Sequence, residues 1–178
     1  RNYLYLLVGL FFLSLTIGTH ETLAIYMGTF FWELSPTQIG WLIIGSIIGT
    51  HLGFFFASRL HDRFDKRLTI SVSAIGLSVF WSMVVNLTLL GLVPANSSWA
   101  LVGMIIFFSI FSSGFGAVLN ISVMSALADI ADQQELDTGL RLEGIFYSAR
   151  AFFSKAMNAV GHVVAGYALE YYVMLPSG

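Results

Sequence analysis

Lys155 stands in the run FFSKAMNAVGHVVAG (152–166), with no acidic residue nearer than Glu143 or Glu170. Phe152, Asn158 and His162 lie at i−3, i+3 and i+7 from it, on one side of a helix. A second polar pair, His20 and Glu21, interrupts another apolar run, among Thr16, Gly18, Thr19 and Thr22. An amine, a carboxylate, two imidazoles and an amide can pair with each other, pass a proton or hold a cation. The spacing excludes other chemistries. There is no HExxH and no phosphate-cradling glycine loop, no triad spacing, and no Cys for thiolate or disulfide work. No catalytic residue, metal ligand or cofactor-binding residue is therefore assigned, and an enzyme is unsupported. Each polar group also has a plainer reading. Lys155 fits a structural ion pair or a lysine tied to a backbone carbonyl. Glu21 fits a neutral carboxyl held by hydrogen bonds inside a bundle. His162 and His51 fit packed histidines.

The elements that carry these groups follow from composition. Of 178 residues, 57% are hydrophobic and 10% charged, against about 25% charged in a soluble domain. Such a chain cannot cover a surface that faces water, so the expectation is an all-α integral membrane protein in a lipid bilayer. The net charge of −2 gives no reason to expect nucleic acid. A membrane helix needs about 20 mostly apolar residues, and five runs qualify: 2–32, 38–57, 68–93, 99–128 and 142–173. In the first linker, Ser35 and Gln38 form a capping box with Pro36 at the first helical position. SRLHDRFDKR (58–67) is dense in charge, GLVPANSSW (91–99) is a turn, and DIADQQELDTGLR (129–141) is acidic.

Charge bias orients the chain. Arg1, Arg59, Arg63, Lys66, Arg67 and Arg141 all fall on one side of five spans. The expectation is a cytoplasmic N-terminus in the cell (inner or plasma) membrane, with Ser177 outside. Arg150 lies about two turns into the fifth span and can snorkel back to the cytoplasmic face. Trp32, Trp41, Trp99, Tyr171 and Tyr172 fall near outer boundaries, as an aromatic belt does. Lys155 is fourteen residues past Arg141, about 21 Å into the bilayer at about 1.5 Å per residue. Glu21 is twelve residues from Glu33, about 18 Å deep. A charge at that depth costs at least about 2.5–3.5 kcal/mol and commonly marks a substrate or ion path. Ala156, Ala159, Gly161, Ala165 and Gly166 permit close helix approach. The threonines and Gly18 around Glu21 point to a locally irregular helix.

Two stretches carry a resemblance. SRLHDRFDKR resembles the cytoplasmic motif Gly-x-x-x-Asp-Arg-x-Gly-Arg/Lys-Arg of the major facilitator superfamily, with Asp62, Arg63, Lys66 and Arg67 matching. Ser58 and Asp65 replace the usual glycines. ADIADQQELDTGLRLEGIFYSARAFFSKAMNAVGHVVAG (128–166) resembles the loop before helix eleven, and that helix, of the glycoside-pentoside-hexuronide:cation symporters, the melibiose-carrier group. The family's charged and Gly-x-Arg-x-Glu positions fall on Asp129, Asp132, Glu135, Gly139, Arg141, Glu143 and Lys155. THETLAIYMGTFFWELSPTQIGW (19–41) is similar to bacterial members of the same group.

The resemblance implies five transmembrane helices equivalent to helices 7–11 of 12, a partial C-terminal six-helix half over residues 1–178. It implies secondary active transport: symport of a sugar or related small solute, coupled to Na+ or H+, by alternating access at a midplane site. Lys155 would reach toward carboxylates in the missing N-terminal half of the same chain, with Glu21, His20, Asn158 and His162 along the pathway. Asp62, Arg63, Lys66, Arg67, Asp129, Asp132, Glu135, Arg141 and Glu143 would form a cytoplasmic gate. Two alternatives stay open: a lysolipid or other amphiphile carrier of the same fold, and a non-transporting membrane receptor or assembly subunit.

Overall fold

The computed structural model describes residues 2–140 and 143–173, all helix and connecting turns. In chain order the helices are α1 (Asn2–Tyr26), α2 (Pro36–Trp41), α3 (Ile43–Arg63), α4 (Lys66–Leu89), α5 (Trp99–Thr138) and α6 (Glu143–Ala168). α1 and α6 each run on into five residues of wider π-helix, Met27–Phe31 and Leu169–Val173. Among the described residues, four stretches are long and apolar enough to cross a membrane: Leu7–Phe31, Pro36–Arg63, Lys66–Leu89 and Trp99–Thr138. α6 has the length, at 26 residues, but carries Glu143, Arg150, Lys155 and His162.

The helix ends follow local chemistry. Ser35 caps α2: its hydroxyl accepts from the Gln38 backbone N–H, and the Gln38 side chain accepts from the Ser35 N–H at 2.8 Å. The box predicted from sequence is present. Leu42 then breaks the run, so the second predicted span is a short helix followed by α3. α5 departs further from expectation. The acidic stretch after Ala128 is no loop; the helix continues to Thr138. Residues 129–138 contain no Gly or Pro, and Ala131, Gln133, Gln134, Glu135 and Leu136 in their middle favour helix. Gly139 stops it, with φ +71° and its N–H on the Glu135 carbonyl at 2.8 Å. Forty residues make about 60 Å, more than a whole bilayer of about 40–45 Å. α5 must therefore extend past the membrane.

The chain divides into two compact units. One contains Gly28–Ala126; the other contains α1 to Met27 and everything from Leu127 onward.

In the first of these, Gly45, Gly49, Gly53 and Ala57 form one row on α3, all buried. A Cβ on any of the three glycines would strike α5, at Ser109 and Ile106, at Ile110, or at Gly114 and Ala117. The contact residues rise together along both helices, so α3 and α5 run parallel. Close backbone approach of this kind is how small residues hold membrane helices together. α4 packs antiparallel to α5. Gly76 accepts the Phe115 ring, and Phe80 stacks on Phe111 and Phe115 at 5.1 and 5.7 Å. The turns at one end are laced. Trp32 donates to Thr88 Oγ1 at 3.1 Å, Ser97 N–H to the Trp32 carbonyl at 2.9 Å, and Gln38 Nε2 to the Ser97 carbonyl at 2.8 Å. Trp32 is therefore buried, at 7% exposure, rather than a belt residue. Trp41, Trp99 and Tyr171 are exposed as a belt requires. Tyr172 has no described side chain.

In the other unit α1 packs lengthwise on α6. Gly18 abuts the Asn158 backbone, and Gly161 abuts Leu15, Gly18 and Thr19. These contacts also rise together, so α1 and α6 are parallel. The α1 helix is regular through Tyr26, against the irregularity expected near Glu21. Thr16, Thr19 and Thr22 give their hydroxyl protons to the carbonyls of Phe12, Leu15 and Gly18. That satisfies them without breaking the backbone ladder. The wider turn comes later, at Met27–Phe31.

Candidate functional site

The α1–α6 seam brings together Glu21, Asn158 and His162 of the first set of candidate residues. Its centre is small and tight: Ser14 and Ser154 hydroxyls 3.1 Å apart, then Gly18 against Asn158, then Thr19 Oγ1 3.2 Å from the Gly161 carbonyl, which shares its proton with the Leu15 carbonyl. Just beyond, the His162 ring lies between two α1 side chains. Its Nδ1 is 2.6 Å from Thr22 Oγ1, and its Nε2 is 3.7 Å from Glu21 Oε2. The Thr22 hydroxyl has the Gly18 carbonyl 3.2 Å away as an acceptor. An unprotonated Nδ1 can instead take the Thr22 proton, which leaves the Nε2 proton directed at Glu21. A protonated ring would make an ion pair with Glu21. Glu21 lies near the middle of the Leu7–Phe31 stretch. The side chains of His162 and Glu21 remain 44% and 57% exposed, so another group or water can reach the pair.

Lys155 sits seven residues before His162, on the same flank of α6, and is exposed. It makes no hydrogen bond or ion pair among the described residues. Glu21 therefore pairs with His162 and not with Lys155. The face expected to hold Phe152, Lys155, Asn158 and His162 together is divided. The packed row on α6 is Ser154, Asn158, Gly161 and Ala165, because only small residues or backbone fit against Gly18. Lys155 and His162 flank that row, and Phe152 is 67% exposed. Of the small residues singled out, Gly161 and Ala165 enter the seam, while Ala159 and Gly166 are exposed. His20 is half-buried, two residues from Gly18 and so on the opposite side of α1. Arg150 does not reach free solvent fully: its Nε is buried without a hydrogen-bond partner among the described residues.

The second set divides between the two units. Asp62, Arg63, Lys66 and Arg67 form the α3–α4 turn; Asp62, Arg63 and Arg67 are exposed and Lys66 is partly so. Asp129, Asp132 and Glu135 line the far end of α5, and Glu143 opens α6. Arg141 lies outside the described residues. Arg59 turns back along α3, with its guanidinium 4.2 Å from the Phe55 ring centre and Nη1 3.3 Å from the Phe55 carbonyl.

Two histidines are explained locally. His51 Nδ1 lies 2.8 Å from the Ile47 carbonyl one turn back, a structural bond. His61 was not singled out from sequence. Its Nε2 lies 2.7 Å from Oγ of the fully buried Ser122, whose own proton goes to the Val118 carbonyl at 2.8 Å. His61 Nε2–H is then the donor. The signal was available: His61 ends the period-four row Gly45, Gly49, Gly53, Ala57. Among the described residues no three His, Cys, Asp or Glu side chains converge as a metal site would need.

A profile of the family described as MFS/sugar transport protein matches residues 1–177. The chain belongs to the MFS/sugar transport protein family. It is a membrane protein of a transporter family, not an enzyme, and the all-helical fold is that of the major facilitator class. No curated protein and no solved structure matches it.

Proposed function

We propose that this MFS/sugar transport protein forms part of a cation-coupled symporter, moving a sugar or related small solute by alternating access. The observation that carries the reading is the Glu21–His162–Thr22 cluster, in the middle of an apolar stretch and half open to its surroundings. An ionisable pair at that depth is expensive unless it binds something or exchanges a proton. Na+ or H+ would be the coupling cation. Lys155, on the same flank, would face carboxylates of an N-terminal half and report whether they hold the cation. Five crossings suit the parallel pairs α1–α6 and α3–α5. The charged α3–α4 turn, by charge bias, would lie in the cytoplasm of the cell membrane.

The test is uptake by vesicles holding the full-length protein, with labelled sugars and an imposed Na+ or pH gradient. Accumulation above equilibrium that collapses with an ionophore is the expected result. Glu21→Gln should cut that accumulation at least about ten-fold while sugar binding persists, since the amide keeps the shape and loses the charge. Uptake indifferent to every gradient would sink cation coupling.

In this reading Arg63, Lys66 and Arg67 pair with Asp129, Asp132, Glu135 or Glu143 when the inner side is closed. Asp132→Asn should then shift the inward–outward populations toward inward-open, read by spin-label distances across the cytoplasmic face. Unchanged populations would reduce these residues to solvated, topology-setting charges.

A further inference from the structure

The unit Gly28–Ala126 contains an open apolar groove of about 370 Å3 along α3, α4 and α5. Its floor is Gly53, Ser73, Gly114 and Val118, and its rims are Leu52 to Phe64 on one side and Leu68 to Val72 on the other. Nothing assigned so far uses it. Leu52 to Phe64 is about 18 Å of helix, the length of an extended acyl chain. An extended hydrocarbon chain can lie along it.

The groove's ends differ chemically. One end runs into the apolar middle of α3 and α5. The other opens at Phe64 and Leu68, on the α3–α4 turn. Arg63 stands three residues past Leu60 and seven past Phe56, on their face of α3, so it stands at the mouth. The turn carries Arg63, Lys66 and Arg67 against Asp62 and Asp65, a surplus of positive charge. Asp65 opens α4 on the groove side, so the mouth is not uniformly basic. An apolar groove continuous with an excess of Lys and Arg matches an anionic phospholipid.

We propose that this groove holds one acyl chain of an anionic phospholipid from the leaflet beside the α3–α4 turn, with Arg63 at its phosphate. The lipid is a resident of the fold and not cargo. The proposal rests on the membrane family and is independent of cation coupling. Its occupancy would fill the void between α4 and the α3–α5 pair and so tie α4 to them.

The experiment uses the full-length protein purified in detergent, titrated with phosphatidylglycerol or phosphatidylcholine, and read by native mass spectrometry. One phosphatidylglycerol should persist per protein, at least about ten-fold tighter than phosphatidylcholine. Val72→Trp fills the groove from its half-exposed rim and should abolish that single occupancy. Val79→Trp, equally bulky but on the exposed side of α4 outside the groove, should keep it. Arg63→Gln should erase most of the headgroup preference while a chain still binds. Thermal unfolding of each variant identifies any that fails to fold. Undiminished occupancy in folded Val72→Trp would overturn the site. Equal binding of the two lipids, or an unchanged preference in Arg63→Gln, would overturn the anionic assignment and with it the proposal.

Discussion

Lys155→Ala abolishes coupled uptake in the full-length transporter while its expression and folding persist. The argument is one of sign. A lysine at the middle of a span costs at least about 2.5–3.5 kcal/mol to insert. Lys155 recovers none of that within the described residues, where it has no hydrogen bond or ion pair. If its place were structural, alanine would remove a penalty and leave uptake and thermal stability equal or improved. If it faces carboxylates across a substrate path, alanine leaves those carboxylates unneutralised and the coupling fails. Sugar accumulation and melting temperature, measured on the same preparation, separate the two outcomes. Lys155→Arg sharpens the result: it keeps the charge but replaces a compact ammonium with a planar fork. Partial uptake in that variant, with none in alanine, would fit a charge-sensing role. Wild-type accumulation in Lys155→Ala would remove the residue from the mechanism.

Gly49→Val destabilises the fold by about 3 kcal/mol or more, the upper part of the range for overpacking. Already a single Cβ at Gly49 would lie against the Ile110 backbone of α5, which cannot swing aside as a side chain can. Valine adds two further methyls in the same place. α3 and α5 must separate, and the Gly45 and Gly53 contacts open with them. The His61–Ser122 bond at the end of the row would lengthen, leaving buried Ser122 short of a partner. Gly103 provides the comparison. It lies within α5 and has nothing within 4 Å of its would-be Cβ. Gly103→Ala should stabilise slightly, by up to about 1 kcal/mol of helix propensity. Thermal unfolding in detergent measures both. Equal effects of the two substitutions would mean that the seam is looser than its geometry.

Much of this was legible from residues alone. The Ser35–Gln38 box could be read because a cap depends on four adjacent residues and nothing else. The helices could be read because a bilayer forces every backbone group to pair within its own segment. The α5 extension was missed because charged residues look like a loop in a hydropathy reading, while helix propensity is indifferent to the sign of charge. The buried position of Trp32 was missed because its partner, Thr88, is 56 residues away.

By itself, the sequence determined the solvent, the helical class, the family and which polar residues lie deep in apolar runs. The family follows from the resemblance of residues 58–67 and 128–166 to known motifs, and the rest from composition and local spacing. The tertiary structure decided which of those residues meet. It gave Glu21 to His162, put Ser154, Asn158, Gly161 and Ala165 into the α1–α6 contact, and left Lys155 on its flank. It also made the α3 glycines a seam and left an apolar groove beside it. The physical reason is the helical repeat. One residue moves a side chain by about 100° around the axis. Spacing can therefore show which residues share a face, but only packing against a second helix selects the face that is buried.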